Sequence, residues 1–292
     1  MTHSSRDALG RVDPRALEGA RVTAHHAAQP LAAAAYRYVA KKPDDSHSNL
    51  LWSSERERFH GRELPGGHRC FVDIVGLGIG IQGADGQDVS RFDLGGRTFE
   101  EAFAALGDAL AGIGCDDGRG PLVLPTYDLP DSELQRGAAF PDDGPDERAE
   151  VARWHARASA MLRGLSEASL GGAEVRCWPH HFDCAAFVAL DEDADPESAR
   201  SVNVGFSPGD GAIAEPYFYV TPWPVPNTTA LPPLEGGATW HREGFTAAVL
   251  RGTEVVAAGD AERQAAFVRE ALDGAVAAAF EVLGATPPGA AG

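Results

Sequence analysis

Lysine is almost missing from this chain: Lys41 and Lys42 are the only two in 292 residues, and every other strong base is arginine. Lysine and arginine together total 25 against 43 carboxylates, which leaves a net charge of −18. A surface that acidic repels phosphate backbones and anionic headgroups, so nucleic acid and membrane surfaces are not expected as partners. The arginine bias, with abundant alanine, glycine and proline, points to a GC-rich bacterial genome. Cysteine is scarce as well. Cys70, Cys115, Cys177 and Cys184 form no C-x-x-C and read as small buried hydrophobes in a reducing compartment. No stretch approaches roughly 18 uninterrupted apolar residues, and the first residues carry no apolar segment of the secretory kind. The expected location is therefore cytoplasmic.

Familiar signatures are missing too. No HExxH, P-loop, EF-hand or zinc-finger spacing occurs. GIGIQG (78–83) matches G-x-G-x-x-G, but a dinucleotide fold needs those glycines to end a strand and open a helix. Here a turn-forming ADGQD follows, so no nucleotide cofactor is expected. GFSPG (205–209) matches the G-x-S-x-G elbow, whose oxyanion hole uses the N–H after the serine. That residue is Pro208, which has none. The stretch reads instead as a turn in which Ser207 and Asp210 satisfy the backbone.

What the chain does contain is ordinary globular material, 43% apolar and 23% charged, in a length that buries a substantial core. Residues 14–40 read as helix, split by Pro30. Two strands, LLWSSERERF and HRCFVDIVGLGIGIQG, are expected around an ELPGG turn. In the second, Phe71, Asp73, Val75, Leu77, Ile79 and Ile81 would share one face. Gly76, Gly78 and Gly80 on the other would mark a close approach of backbone or ligand. Residues 98–113 form an amphipathic helix with Thr98 as N-cap and Glu101 as its capping-box partner. A Pro/Asp/Gly-rich loop (125–146) precedes a helix over 146–167. Then come a strand, EVRCWPHHFDCAAFVAL, an acidic loop, the strands SVNVGF and EPYFYV about a tight SPGDG turn, and a helix over 260–284. Strands joined by short turns, with helices grouped apart from them, make an α+β protein with antiparallel sheet. The expected organisation is one domain over 14–285 with disordered ends at 1–13 and 286–292. Two α+β halves divided at 125–146 are the alternative.

The functional candidates centre on CWPHHFDC (177–184). In the expected strand, His181 and Asp183 share a face and His180 lies on the other. A His and an Asp so placed chelate a divalent metal, act as general base and orienter, or neutralise one another. Glu215, Tyr217 and Tyr219 are in phase along EPYFYV, and His241 with Glu243 repeats the i, i+2 spacing in WHREG. Convergence of these strands would give a metal set of His181, Asp183, His241 and Glu215, with His180 and Glu243 as further catalytic groups. Trp178, Trp223 and Trp240 would wall the cleft. HHAAQ (25–29) and DDSHSN (44–49) are secondary candidates. The first reads as a packed or solvated helix face, the second as a connector whose Asp and Ser side chains bond nearby backbone, with a contribution of His47 and Asp44 or Asp45 to a site as the alternative.

The chain resembles a bacterial family of uncharacterised proteins that shares HHAAQ (25–29), DDSHSNLLW (44–52), RCWPHHFD (176–183), GFSPGD (205–210), EPYFYVTPWP (215–224) and WHREG (240–244) in this order. The resemblance implies that these segments belong to one recurring architecture. It carries over no activity. The expected function is that of a small-molecule enzyme, metal-dependent or using His181–Asp183 as an acid–base dyad. The alternatives are a non-catalytic small-ligand-binding protein and a structural polar network with a protein-interaction role.

Overall fold

The computed structural model describes residues 7–115, 117–191 and 199–287. Residues 1–6 and 288–292 of the expected disordered ends, and 192–198 of the acidic loop, lie outside the described residues. The fold is α+β. Its helices are α1 (Glu18–Ala27), α2 (Gln29–Tyr38), α3 (Phe99–Gly112), α4 (Pro145–Ser169), α5 (Gly252–Ala257) and α6 (Ala261–Val282). One antiparallel sheet has five strands in sequence order: β1 (Leu51–Ser53), β2 (Arg58–Glu63), β3 (Arg69–Asp73), β4 (Gly78–Gln82) and β5 (Asp88–Asp93). The remaining strands are β6 (Arg176–Trp178), β7 (Asp183–Ala189), β8 (Ser201–Ser207), β9 (Tyr217–Trp223), β10 (Thr239–His241) and β11 (Ala247–Arg251). They form a second sheet in the order β10-β11-β9-β8-β7-β6. Among the described residues, no helix is long and apolar enough to cross a membrane.

The chain divides into two compact units. One comprises Leu17–Ala152 and Cys177–Phe182, and the other Met1–Ala16, Arg153–Arg176 and Asp183–Gly292. They are called below the five-stranded unit and the C-terminal unit. The 125–146 segment falls wholly inside the former, so the division does not follow that loop.

In the five-stranded unit, Pro30 occupies the first turn of α2, where its missing N–H costs nothing, and α1 ends at Ala27. The capping box of α3 is complete: Thr98 N–H donates to Glu101 Oε2 at 2.7 Å and Glu101 N–H to Thr98 Oγ at 3.2 Å. The expected strand over 68–83 is instead the β3–β4 hairpin. Asp73 Oδ1 accepts from the N–H groups of Val75 and Gly76, and Leu77 adopts φ +46°, which turns the chain back. Phe71 then pairs with Gly80 and Val72 with Ile79, so Phe71 and Ile79 lie on opposite faces rather than one. In the glycine row the approach of another backbone is found at Gly80, where a Cβ would lie 2.1 Å from Ser90 O and 2.6 Å from Phe71 Cζ, while Gly76 and Gly78 meet only the Asp73 and Arg91 side chains. The close approach is the protein's own backbone and ring.

In the C-terminal unit the even-numbered side chains of β7 and β8 meet helices. Phe206 stacks on Trp154 of α4 at 5.9 Å and meets the His155 ring edge-on at 5.3 Å. Cys184 Sγ lies 3.4 Å from His155 Nδ1, and α6 packs across β8, β9 and β11. All four cysteines are buried and outside any disulfide, and burial pushes the Cys70 thiol up to about 12. The fold includes residues ahead of Pro14: Leu9 is buried, and its N–H and carbonyl both bond the Gln264 side chain.

Candidate functional site

CWPHHFDC is not one strand. β6 ends at Trp178 and β7 begins at Asp183, with a turn between them. The Trp178 carbonyl accepts the N–H of both His181 (3.1 Å) and Phe182 (2.6 Å), and Phe182 sits at φ +58°. That conformation is strained for a bulky side chain. His181 and Asp183 therefore do not share a strand face, because His181 belongs to the turn and its side chain is exposed. The dyad expected from alternation fails for the same reason.

Residues Cys177–Phe182 make a six-residue excursion into the five-stranded unit, anchored at both ends. At one end Cys177 and Leu50 exchange two backbone bonds of 2.8 Å. At the other, the fully buried Phe182 ring stacks on His25 at 5.4 Å and packs against Phe59 at 5.5 Å. In the middle, the Pro179 carbonyl accepts from His25 Nε2–H at 2.7 Å and Gln29 Nε2–H at 2.9 Å. Gln29 also donates to His25 O at 2.9 Å, and its Oε1 accepts from Tyr127 O–H at 2.5 Å. A side-chain relay from Tyr127 through Gln29 thus fixes the turn, and its top presents His180 and His181, with ring centroids 4.3 Å apart.

Aromatic rings surround His180. Trp178 lies 6.1 Å away and Tyr127 5.8 Å; Tyr36 is 6.5 Å from Tyr127 and meets His47 edge-on at 4.7 Å. HHAAQ, DDSHSN and WPHHF, spread over more than half the chain, thus meet in one neighbourhood. Burial is the main cause that pulls the His180 imidazole down to about 4, with His181 adding to it and Asp45 opposing. Burial likewise takes His25 down to about 3 and pushes the Tyr127 phenol well above its ordinary value. His25, expected on a packed or solvated helix face, is packed, and it also supports the turn. Sequence reasoning passed over Gln29 as a positioning group, along with Tyr36 and Tyr127. The only signal was aromatic residues beside Pro/Asp-rich loop sequence, and nothing local links position 127 to 29.

The C-terminal unit holds a second polar cluster. Alternation puts Asp183, Gly205, Ser207, Tyr217 and Tyr219 on the same face of β7, β8 and β9, where Gly205 pairs with both Ala185 and Tyr219. Tyr219 O–H donates to Asp183 Oδ2 from two strands away. Gly205 permits this, since a Cβ there would lie 2.4 Å from Tyr219 Cζ. Tyr217 O–H donates to Asp210 Oδ2 at 2.5 Å. The β8–β9 connection is a longer loop than the tight turn expected. Asp210 Oδ1 accepts from Ala212 and Ile213 N–H at 2.8 Å, and Ser207 Oγ from Gly209 N–H at 3.1 Å. Burial, then the carboxylate beside each, pushes both phenols upward, so they remain donors.

The proposed metal set does not assemble. Four strand steps separate β10 from β7, which places His241 about 19 Å from the Asp183 strand at the usual spacing. His241 Nε2–H instead donates to Glu243 O at 2.7 Å, in a turn where Glu243 is exposed. Glu215 caps a helix: Oε2 accepts from Thr253 N–H of α5 at 2.7 Å, with Arg251 3.8 Å from Oε1. Among the described residues, no group of three or more His, Cys, Asp or Glu is placed to hold a metal ion. Nor do Trp223 and Trp240 wall a common cleft. Trp223 ends β9, six residues and about 20 Å from Tyr217. Trp240 Nε1–H donates to Pro232 O at 2.8 Å.

These observations define an α+β protein with two antiparallel sheets and an imidazole-bearing turn held from beneath by side chains. In comparisons with known proteins, no family model, curated protein or solved structure matches the chain.

Proposed function

We propose that the five-stranded unit binds a small, flat, heteroaromatic molecule over His180, among Trp178, Tyr127, Tyr36 and His181. The observation that carries this reading is the doubly held Pro179 carbonyl. Two buried side chains, His25 and the Gln29 that Tyr127 positions, fix a strained turn that carries a pair of neighbouring imidazoles. Backbone strain persists only where surrounding contacts over-determine it, and such strain collects at ligand clamps. The ring faces supply stacking area, and a neutral imidazole offers one donor and one acceptor to a ring edge.

Binding is favoured over proton abstraction by the basicity of His180. A general base works best with a pKa near the operating pH. One drawn down to about 4 is available at neutral pH but weak, so it serves better as a hydrogen-bond acceptor. Asp45, on the same loop as His47, and the net charge of −18 disfavour anionic ligands.

Ligand-observed NMR tests the reading. Indole, benzimidazole, nicotinamide and adenine serve as probes, with benzoate as the anionic control. At least one heteroaromatic probe should give saturation transfer with the intact protein, while His180→Ala and Trp178→Leu abolish it and leave the circular dichroism spectrum unchanged. Absence of binding by every probe, or binding that survives His180→Ala, would sink the proposal.

A further inference from the structure

The other histidine of HHAAQ faces different surroundings. His26 Nδ1–H donates to Val22 O at 2.8 Å, leaving Nε2 to accept from Ser132 O–H at 3.1 Å, and the ring meets Phe99 edge-on at 5.4 Å. His26 thus seats the first ring of α3 against the 132–135 segment. Beside it lies a groove of about 800 Å³, a size that suits a drug-sized molecule. Its lining is mainly apolar, with Phe99 and Phe103 from α3, Leu122 and Leu124 from the segment that follows α3, and Leu134 from a 3-10 turn over Glu133–Arg136. Val123 at its edge is 73% exposed and adds apolar surface to the rim. None of the residues around His180 lines it.

Glu100 is the one charged side chain in that lining among the described residues. Its neighbour Glu101 is spent in the capping box, with its carboxylate on Thr98 N–H. The positive end of the α3 dipole is therefore already met by carboxylates, and an anionic headgroup entering the groove would meet Glu100 and Glu101 together. A cationic headgroup would instead pair with Glu100 while its apolar body covered the phenylalanines and leucines. From this charge complementarity we infer that the groove is a binding site for a hydrophobic amine, a molecule with an apolar chain or ring system and one ammonium group.

Displacement of a neutral fluorescent probe, N-phenyl-1-naphthylamine, reports occupancy. Decylamine, decanol and decanoate serve as competitors of equal chain length, each kept below its micelle concentration at pH 7. Decylamine should displace the probe at about two- to fivefold lower concentration than decanol, the range of an exposed ion pair, with decanoate weakest. Glu100→Gln should remove the preference for decylamine over decanol without weakening decanol. This substitution lies on an exposed helix position and leaves the core untouched. Phe103→Ala should weaken all three competitors, which localises them to the groove. The inference is overturned if the probe shows no saturable binding, if decanol or decanoate competes as well as decylamine, or if Glu100→Gln leaves the preference intact.

Discussion

The two polar clusters of this protein are built by opposite methods. In the C-terminal unit, Asp183, Gly205, Tyr217 and Tyr219 stand on regular strands, and their meeting follows from alternation and register. In the five-stranded unit, His180 and His181 stand on an irregular turn, and their position follows from a buried ring and a bonded carbonyl. The first cluster pairs each phenol with a carboxylate. The second leaves an imidazole exposed at the end of a chain of support. A cluster whose phenols are taken up by carboxylates reads as architecture, whereas one whose supports are buried and whose outer imidazole is exposed reads as a site.

The contrast is sharpest at Phe182, the last residue of the turn. Phe182→Ala removes a fully buried ring from between His25 and Phe59, and should cost about 3–5 kcal/mol in urea unfolding. Phe182→Gly relieves the positive φ yet leaves the same cavity, so it should lose nearly as much. If the glycine variant were instead as stable as wild type, the ring would not be what holds the turn.

Acid should separate the imidazole cluster from the phenol cluster. Burial holds His25 and His180 of that cluster neutral in the fold, at about 3 and 4 against an ordinary 6.5, and likewise His60 on β2, at about 4. The unfolded chain takes up protons below pH 6.5 and the folded one does not. Stability is therefore full above 6.5 and lost as pH falls toward 4, at a slope on the order of 1.4 kcal/mol per pH unit for each such histidine. Urea midpoints measured from pH 7.5 to 4.5 should show that decline, and His25→Gln should make it shallower. The phenols of Tyr217 and Tyr219, displaced upward, take no part in this range.

A smaller effect compares two phenols. Tyr219 donates to a carboxylate and Tyr127 to a neutral amide. Tyr219→Phe should cost about 1.5–3 kcal/mol and Tyr127→Phe about 0.5–1.5 kcal/mol, the ranges for charged and neutral acceptors. Equal losses would remove the distinction between the clusters. Loss of probe binding in Tyr127→Phe, against none in Tyr219→Phe, would strengthen it.

What the sequence revealed divides along the same line. That Tyr217 and Tyr219 point the same way was legible because strand alternation is a local rule, whereas their meeting with Asp183 depends on the β7-β8-β9 pairing. So was the capping box at Thr98 and Glu101, a pattern complete within four residues. The turn at 179–182 was not legible. No glycine marks its left-handed residue, and a run as apolar as CAAFVAL reads continuously with what precedes it. The convergence of His241 on Asp183 failed for a different reason, since the order β10-β11-β9-β8-β7 is a long-range fact that no spacing within WHREG encodes. Gln29 and Tyr127 were missed likewise, because their bond spans 98 positions.

Gly205 carries a consequence for how the C-terminal sheet finds its alignment. Sliding a strand by one residue turns its apolar side chains to the wrong face, so hydrophobic patterning rejects that error. Sliding by two restores the pattern, and patterning is blind to it. A two-residue slip between β8 and β9 would bring Asn203 or Ser207 opposite Tyr219, each with a Cβ where the ring must pass on its way to Asp183. The missing side chain acts as a keyhole that admits one register and refuses its nearest plausible neighbours.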